Sequence, residues 1–156
     1  MLEEYPVDSI RSIRFLTSPF GPWDKNLVVV QGKKLSLNDI EHGILRPIWK
    51  DPRIHFAVNC ASIGCPNLDE EAFTATNANE LMEAAAKSFI NHARGVEIKG
   101  ETLVLSSIFD WYGSDFGENE QEIVAYIARF YEPSNRGLET ISKFEYQYDW
   151  NLNKAE

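Results

Sequence analysis

The chain has 156 residues, 44% of them apolar, which is enough for one compact domain with its own core. Twenty-four acidic residues against fifteen basic ones give a net charge of -9, and no cluster of lysine or arginine offsets it locally. This charge excludes nucleic acid and anionic membrane surfaces as expected partners. No apolar run approaches the roughly 20 residues that a membrane-spanning helix needs.

The first half of the chain predicts a hairpin followed by a helix. Residues 26–37, NLVVVQGKKLSL, have the pattern of two short strands around a glycine turn. Ser36 and Asp39 resemble a capping box, which opens a helix over residues 37–46. Pro47 is expected to end that helix, because proline lacks the amide hydrogen that a helix interior requires.

The second half alternates strands and helices without a regular strand–helix–strand rhythm. The β-branched and aromatic run 54–58, IHFAV, predicts a buried strand. The later elements are a long helix over 77–92, a hairpin over 96–106, one or two helical turns in 107–117, an amphipathic helix over 119–131 and a strand in 143–150. This order favours an α+β fold with a mostly antiparallel sheet and three main helices, in a single domain over residues 1–156.

The stretch 51–68, DPRIHFAVNCASIGCPNL, holds one of the three histidines and both cysteines. On a straight strand His55 would lie opposite the apolar face and roughly 16 Å from Cys60, too far for a hydrogen bond. Gly64 and Pro66 permit the loop to turn back and return Cys65 towards the sheet. If one cysteine is activated, geometry therefore favours Cys65.

One hypothesis from these residues is a thiol-dependent hydrolase or transferase. Cys65 would be the nucleophile, His55 the base, and Asn59 or Glu41 the orienting group. Ser62 and the backbone amides of residues 61–64 would donate to an oxyanion. The candidate binding residues are Ser62, Arg46, Cys60 and Arg53.

A second hypothesis is a non-catalytic module in which the same loop presents a groove to a protein or peptide. In that case Cys60 and Cys65 are small buried residues and His55 is a hydrogen-bonded structural histidine. A metal site would lack a clear fourth ligand, and a disulfide between the two cysteines would require an oxidising compartment. No glycine-rich phosphate loop is present, and the sequence predicts neither a cofactor nor a metal.

Three segments resemble, in order and spacing, the domain of unknown function 547 family: LSLNDIEHGILRP, DPRIHFAVNCASIGCPNL and LSSIFDWYGSDFG. The resemblance runs from about Tyr5 to Trp150. It implies no settled activity. In plants such domains accompany leucine-zipper or glutaredoxin-like segments, while bacterial members are often single-domain and sometimes exported.

The resemblance also implies a helical half upstream of YPVDSI, with a motif like FWINLYNAL, which this sequence lacks. That half resembles the helix that bears the nucleophile in papain-like and transglutaminase-like folds, so the chain would be a partial arrangement of that kind. The implied partners are a protein, a peptide or the N-terminal helical segment itself, seated in an exposed apolar groove. Without a signal peptide the default compartment is cytoplasmic, with export in bacteria if a signal segment lies upstream.

Overall fold

The computed structural model describes residues 6–13, 22–132 and 135–154. The chain divides into two compact units. Unit 1 comprises Met1–Asp51, Cys60–Ile63 and Trp150–Glu156, and unit 2 comprises Pro52–Asn59 and Gly64–Asp149. The expectation of one domain over the whole chain stays a prediction.

Unit 1 contains a hairpin and a helix that changes pitch along its length. The hairpin pairs β1 with β2 antiparallel around a turn at Gln31 and Gly32. Both turn residues have positive φ, of 51° and 79°, as a tight two-residue hairpin turn requires. The elements of unit 1 are short 3₁₀ turns at Ile10–Ser12 and Pro22–Asp24, β1 at Val28–Val30, β2 at Lys33–Leu35, α1 at Leu37–Ile40, a π-helical segment at Glu41–Leu45 and α2 at Arg46–Trp49.

The capping box that opens α1 is confirmed. The Ser36 hydroxyl accepts from the Asp39 amide at 3.0 Å, and the Asp39 carboxylate accepts from the Ser36 amide at 2.8 Å. The prediction that Pro47 ends the helix is wrong, because the helix continues to Trp49. The π-helical segment explains this: the Arg46 amide donates to Glu41 O, five residues back, and the wider turn relieves the proline ring of its usual clash.

Unit 2 contains a three-stranded sheet and the longer helices. β3 and β4 form the predicted antiparallel hairpin, and β5 pairs with β4 in parallel. A parallel neighbour needs a crossover, which the helices between β4 and β5 supply. The elements of unit 2 are α3 at Ile54–Ala57, α4 at Ala78–Ile90, β3 at Val96–Lys99, β4 at Thr102–Ser106, α5 at Ile108–Trp111, α6 at Gly113–Phe116, α7 at Glu120–Ala128, a 3₁₀ segment at Asn135–Thr140 and β5 at Lys143–Gln147.

The core of unit 2 is rich in aromatic rings. Phe56 is completely buried, and its ring centroid lies 5.5 Å from Phe89, 6.1 Å from Phe109 and 5.8 Å from Phe116. These separations are typical of tilted aromatic packing. α7 adds Ile123 and Ile127 to the same core, as its amphipathic pattern predicts, together with Phe130 just beyond its end.

The predicted strand over residues 54–58 is wrong, since residues Ile54–Ala57 form the helical turn α3. The turn begins with the amides of His55 and Phe56, which donate to Pro52 O and Arg53 O. Three consecutive side chains, from Ile54 to Phe56, are buried. Alternation therefore does not place His55 opposite the apolar face, and a short apolar run alone does not separate a strand from a buried helix.

The fold class is confirmed as α+β. Two of the three strand pairings are antiparallel. Three helical stretches among the described residues are clearly longer than one turn, namely 37–49, α4 and α7. Within the same described ranges, no helix combines the length and the apolar character that crossing a membrane requires.

Candidate functional site

His55 lies inside unit 2, hydrogen-bonded to an aspartate that is sixty residues away in sequence. Its Nε2 is 2.7 Å from Asp115 Oδ2. Its ring stacks on Tyr112 at 4.2 Å with an interplanar angle of 17°, and the Phe116 ring lies 5.4 Å away. The three residues that surround the imidazole all come from α6 and the residue before it, so the histidine joins α3 to α6.

The His55–Asp115 pair has the geometry of a catalytic base held by an orienting carboxylate. The two groups differ in their exposure to solvent: the His55 side chain is 1% exposed and the Asp115 side chain 26%. A base must come within hydrogen-bond reach of its substrate. In this structure solvent reaches only the carboxylate end of the pair, and a ligand would meet Asp115 before His55.

Cys65 is buried in unit 2 and is braced by a tyrosine. The Tyr148 hydroxyl donates to Cys65 Sγ at 3.3 Å, and the residue is 4% exposed. The preceding Gly64 lies against the backbone of Asp149, just beyond the end of β5. A Cβ at Gly64 would lie 2.9 Å from Asp149 N. Glycine at position 64 therefore allows two backbone segments to pack closely together. The sequence had indicated that it permits the loop to turn back.

Asn59 closes the loop that leads to Cys65. Its side-chain amide donates to Pro66 O at 2.7 Å, which links the two ends of the loop within unit 2. This contact gives Asn59 a structural task. The sequence suggested Asn59 or Glu41 as the group that orients the histidine, which stays a prediction, and the structure adds Asp115 as a hydrogen-bond partner of the imidazole.

The suggested oxyanion donors are engaged in backbone hydrogen bonds. The Ile63 amide donates to Asn151 O, and the Gly64 amide donates to Asp149 O, both at 2.9 Å. Ser62 is completely buried, and its hydroxyl lies 3.2 Å from Cys60 Sγ. Cys60 is half-buried in unit 1, together with Ser62.

The predicted charged residues make local contacts. Arg53 donates to Glu83 Oε2 and Asn79 Oδ1, both at 3.0 Å, and so fixes the start of α3 to α4. In unit 1, Arg46 Nη1 lies 3.2 Å from His42 Nδ1 and Glu41 Oε1 lies 3.9 Å from the same nitrogen. His55 and Arg53 thus lie in unit 2 with Cys65 and Asn59, while the other four predicted residues lie in unit 1.

Unit 2 contains a groove between α4 and the loop that follows Cys65, and no sequence pattern indicated that α4 would form one of its sides. Its volume is about 410 Å³. The floor is apolar apart from Ser88, and small side chains on α4 leave the space open. The floor residues are Phe56, Leu81, Ala84, Ala85, Ser88 and Phe89.

The rim of this groove is acidic. Asp69, Glu70 and Glu71 line one side, with the strongly exposed Leu68 beside them. Arg94 is the one basic residue of the lining, and its guanidinium donates to Asn67 Oδ1 at 2.6 Å. The groove combines an apolar floor with a net negative rim, which suits an apolar ligand that carries positive charge.

The negative charge of the chain is concentrated in the unit that contains the groove. Unit 2 holds sixteen acidic and seven basic residues, whereas unit 1 holds eight of each, so unit 2 carries the whole net charge of -9. The pKa of the Tyr146 phenol, on β5, is raised. Burial is the largest cause, and the negative charges of Glu120 and Asp110 add to it. Glu120 and Asp110 favour the neutral phenol by repelling its anion.

The model of the family described as "Protein of unknown function, DUF547" matches residues 10–90 of the chain. The chain belongs to the DUF547 family. The matched range contains His55, both cysteines and the whole groove lining except Arg94, while Asp115 lies beyond it. No curated protein and no solved structure matches the chain. DUF547 membership fixes a relationship and supplies no activity, so any function rests on the geometry of the two sites.

Sequence signals existed for two overlooked residues but not for the groove. Tyr112 and Asp115 are three residues apart in a stretch predicted to be helical, a spacing that puts both side chains on one face. That face supplies the ring that stacks on His55 and the carboxylate that is hydrogen-bonded to it. The groove depends on where the loop after Cys65 packs against α4, which no local pattern encodes.

Proposed function

We propose that this DUF547 domain is a peptide-binding module that takes a segment with apolar side chains and at least one lysine or arginine. The groove between α4 and the loop after Cys65 carries the proposal. Its volume of about 410 Å³ holds a few aliphatic side chains, and its floor is formed by aromatic and small residues. An apolar cleft with a few convergent polar groups is the usual form of a recognition site.

Charge decides which peptides are preferred. Asp69, Glu70 and Glu71 stand at the rim against the single Arg94, and the whole unit carries the net negative charge. An acidic peptide would be repelled before contact, and a basic one would be attracted over about 8 Å at physiological salt. Affinity should therefore fall as salt concentration rises.

The test is fluorescence anisotropy with three labelled peptides of equal length and equal leucine content. One carries lysines, one glutamates and one glutamines at the same positions. The lysine peptide is expected to bind, more weakly at higher salt, and the glutamate peptide is expected not to bind. Absence of binding by all three, or equal binding by all three, contradicts the proposal.

Variants locate the binding site. Glu70→Lys with Glu71→Lys should weaken the lysine peptide at least about tenfold, because two attractive charges become repulsive. Ala84→Trp, on the groove floor, should block the apolar contact without altering charge. Glu139→Lys with Glu145→Lys is the matched control, since these two exposed glutamates of unit 2 lie outside the groove and the change of charge is the same. An equal loss in the control would attribute binding to net charge alone.

The second candidate function is a thiol-dependent hydrolase or transferase with Cys65 and His55. The observation that favours it is the His55–Asp115 hydrogen bond at 2.7 Å, which supplies the base and its orienting group. The Tyr148 hydroxyl, which donates to Cys65 Sγ, would stabilise a thiolate. The burial of both His55 and Cys65 makes this candidate the weaker of the two.

Alkylation distinguishes the two candidate functions. The labelling rates of Cys60 and Cys65 are resolved by mass spectrometry from pH 5 to 9, on the native chain, His55→Ala and Asp115→Asn. An activated Cys65 would label rapidly below pH 7 and lose that reactivity in both variants. If neither cysteine labels until the protein unfolds, the thiol hypothesis is wrong. Asp115→Asn keeps the shape of the side chain, so the test does not depend on whether His55→Ala folds.

A further inference from the structure

A second cleft lies in unit 2, between the first turns of α7, the 3₁₀ segment Asn135–Thr140 and the start of β5. Its volume is about 460 Å³, within the range of about 300 to 1,000 Å³ that small-molecule sites occupy. The cleft and the groove beside α4 have no described lining residue in common. A ligand of this cleft would therefore use none of the contacts proposed for a peptide.

Four apolar side chains form the floor of this cleft. Val124 comes from α7, Leu138 from the 3₁₀ segment, Ile141 from the residues just after it and Phe144 from β5. All four belong to the main buried cluster of unit 2 or pack against it, which fixes their positions. An alkyl chain lying on this floor would lose contact with water, which favours its binding.

The rim of the cleft is polar, and two of its side chains are already engaged within the protein. The Asn119 side chain accepts from the Glu122 amide at 3.0 Å and so caps the start of α7. The Ser142 hydroxyl donates to Glu101 Oε2 at 3.0 Å. Both residues therefore stabilise the walls of the cleft.

Glu120 and Gln121 complete the rim. Within the described part of the chain, neither side chain makes a hydrogen bond or an ion pair. Glu120 is also the one charged residue among the described residues of the lining. A carboxylate accepts strong hydrogen bonds from an ammonium group, and the Gln121 carbonyl is a further acceptor. The polar groups that face a ligand thus favour a cationic donor.

The start of α7 would by itself favour an anion, because the amides of a helix N-terminus carry about half a positive charge. The first turn of α7 already contains two carboxylates, those of Glu120 and Glu122. Glu122 in turn accepts from the Glu118 amide at 2.9 Å. The full negative charge of Glu120 exceeds a partial charge that its neighbours already compensate, so the cleft is negative.

A second carboxylate acts on the same region of unit 2. Tyr146 lies two residues after Phe144 on β5, and the two side chains therefore lie on the same face of the sheet. Burial is the largest cause of the raised pKa of Tyr146, and the charges of Glu120 and Asp110 add to it. Both carboxylates are thus close enough to act on one ring, and both would attract a cation.

We propose that this cleft binds a small organic cation, a free amine whose protonated head meets Glu120 and whose alkyl chain lies on the floor. An alkyl ammonium group, like that of lysine, has a pKa of about 10.4 and is charged at pH 7. A lysine of another protein would present the same head on a shorter chain. Its backbone amides would then meet the apolar floor, which favours the free amine.

NMR titration with three ligands that share one alkyl chain tests the proposal at pH 7. Hexylamine should shift the backbone amides of Val124, Ile141 and Phe144 and reach saturation, hexanol should bind at least about fivefold more weakly, and hexanoate should not bind. The proposal is overturned if hexylamine shifts none of these amides. It is also overturned if hexylamine shifts only Ala84 and Ser88, which would assign the amine to the groove.

Variants locate the charge and the floor. Glu120→Gln should weaken hexylamine about fivefold and leave hexanol unchanged, because only the amine meets the carboxylate. Glu118→Gln is the matched control, since Glu118 is exposed, lies two residues away and is outside the lining. Val124→Phe should weaken both ligands by filling the cleft. Equal losses in Glu120→Gln and Glu118→Gln would assign binding to net charge and overturn the proposal.

A fourth ligand separates a free amine from a protein side chain. Lysine with an acetylated amino group and a methylamide at its carboxyl end carries the ammonium head together with backbone amides. It should bind at least about fivefold more weakly than hexylamine, because its shorter chain buries less apolar surface. Binding as tight as that of hexylamine would point to a lysine of a partner protein and would overturn the proposal of a free amine.

Discussion

The two units distribute apolar side chains and charge in opposite ways. Among the described residues, eleven large apolar side chains are exposed; eight of them belong to unit 1, and the main buried apolar cluster belongs entirely to unit 2. Unit 2 carries the whole net charge, and unit 1 carries none. Unit 2 therefore buries most of its large apolar side chains in one core, while unit 1 leaves many of its own exposed.

The units also differ in what stabilises them. Unit 1 relies on individual hydrogen bonds, such as the Ser36–Asp39 capping box and the bond from Ser9 Oγ to Trp150 O at 2.6 Å. Unit 2 relies on close packing around Phe56. Packing contributes more free energy than exposed hydrogen bonds, so unit 1 should open before unit 2.

The largest expected contrast comes from removing one apolar side chain in each unit. Phe56→Ala should lower the free energy of unfolding by about 3 to 5 kcal/mol, because a ring that is fully buried leaves a cavity. Val29→Ala, at an exposed position, should change it by about 0.5 kcal/mol or less. Urea unfolding followed by circular dichroism measures both. Equal losses would mean that the hairpin is part of the core.

The next contrast concerns hydrogen bonds. Asp115→Ala should cost about 2 kcal/mol, because it leaves the buried Nε2 of His55 without its acceptor. Asn38→Ala, which removes the exposed bond from Asn38 to Asp24 at 2.6 Å, should cost about 0.5 kcal/mol or less. Urea midpoints give both values, and hydrogen exchange at α3 locates the effect of Asp115→Ala. A loss below about 0.5 kcal/mol for Asp115→Ala would show that the pair is not structural.

Glycine to alanine substitutions should change the free energy of unfolding in opposite directions in the two units. Gly64→Ala should cost about 1 to 3 kcal/mol, since the added Cβ would lie 2.9 Å from Asp149 N and 3.0 Å from Asp149 O. Gly43→Ala, in the π-helical segment, meets no atom within 4 Å and should stabilise by up to about 1 kcal/mol. Thermal unfolding of the two variants measures the difference. The comparison fails if both changes destabilise equally.

The smallest effects on stability come from one ionisable group in each unit, Asp39 at low pH and Lys87 at high pH. Hydrogen bonds from the backbone and then the side chain of Ser36 lower the pKa of Asp39. The stability that the ionised Asp39 contributes is therefore complete above the ordinary carboxyl pKa and is lost as pH falls through the lowered pKa. The Glu132 carboxylate raises the pKa of Lys87. The stability that the charged Lys87 contributes is therefore complete below the ordinary lysine pKa and is lost as pH rises through the raised pKa.

NMR titration of the Asp39 carboxyl and the Lys87 ammonium measures both pKa values directly. Ser36→Ala should raise the pKa of Asp39 towards its ordinary value, and Glu132→Gln should lower that of Lys87. Each variant is the control for the other, because the two pairs lie in different units. An unchanged Asp39 pKa in Ser36→Ala would assign its shift to the backbone amide of residue 36, which the substitution keeps.

Local signals in the sequence predicted most of the secondary structure. The two hairpins depend on glycine turns, α1 depends on a capping pair three residues apart, and α7 depends on its own periodicity. Each signal acts within a few residues, so the surrounding fold hardly changes it. The error at residues 54–58 arose where local signals conflict, because a short β-branched run does not distinguish a strand from a buried helical turn.

The candidate sites were predicted less completely. The sequence drew attention to His55 and Cys65, and it proposed Asn59 or Glu41 as the group that orients the histidine. The structure adds Asp115, which contacts His55 although the two residues are sixty apart in sequence. The roles proposed for the individual site residues stay predictions until the thiols and the groove are tested.

The sequence by itself determined the family, the α+β class, the net charge and the turns and caps, since these depend on composition or on residues close together in the chain. Tertiary structure alone decided the partner of His55, the parallel pairing of β5 with β4, the groove beside α4 and the unequal division of charge between the units. The physical reason is that burial brings together groups that are distant in sequence, and what each group contacts then sets its chemistry.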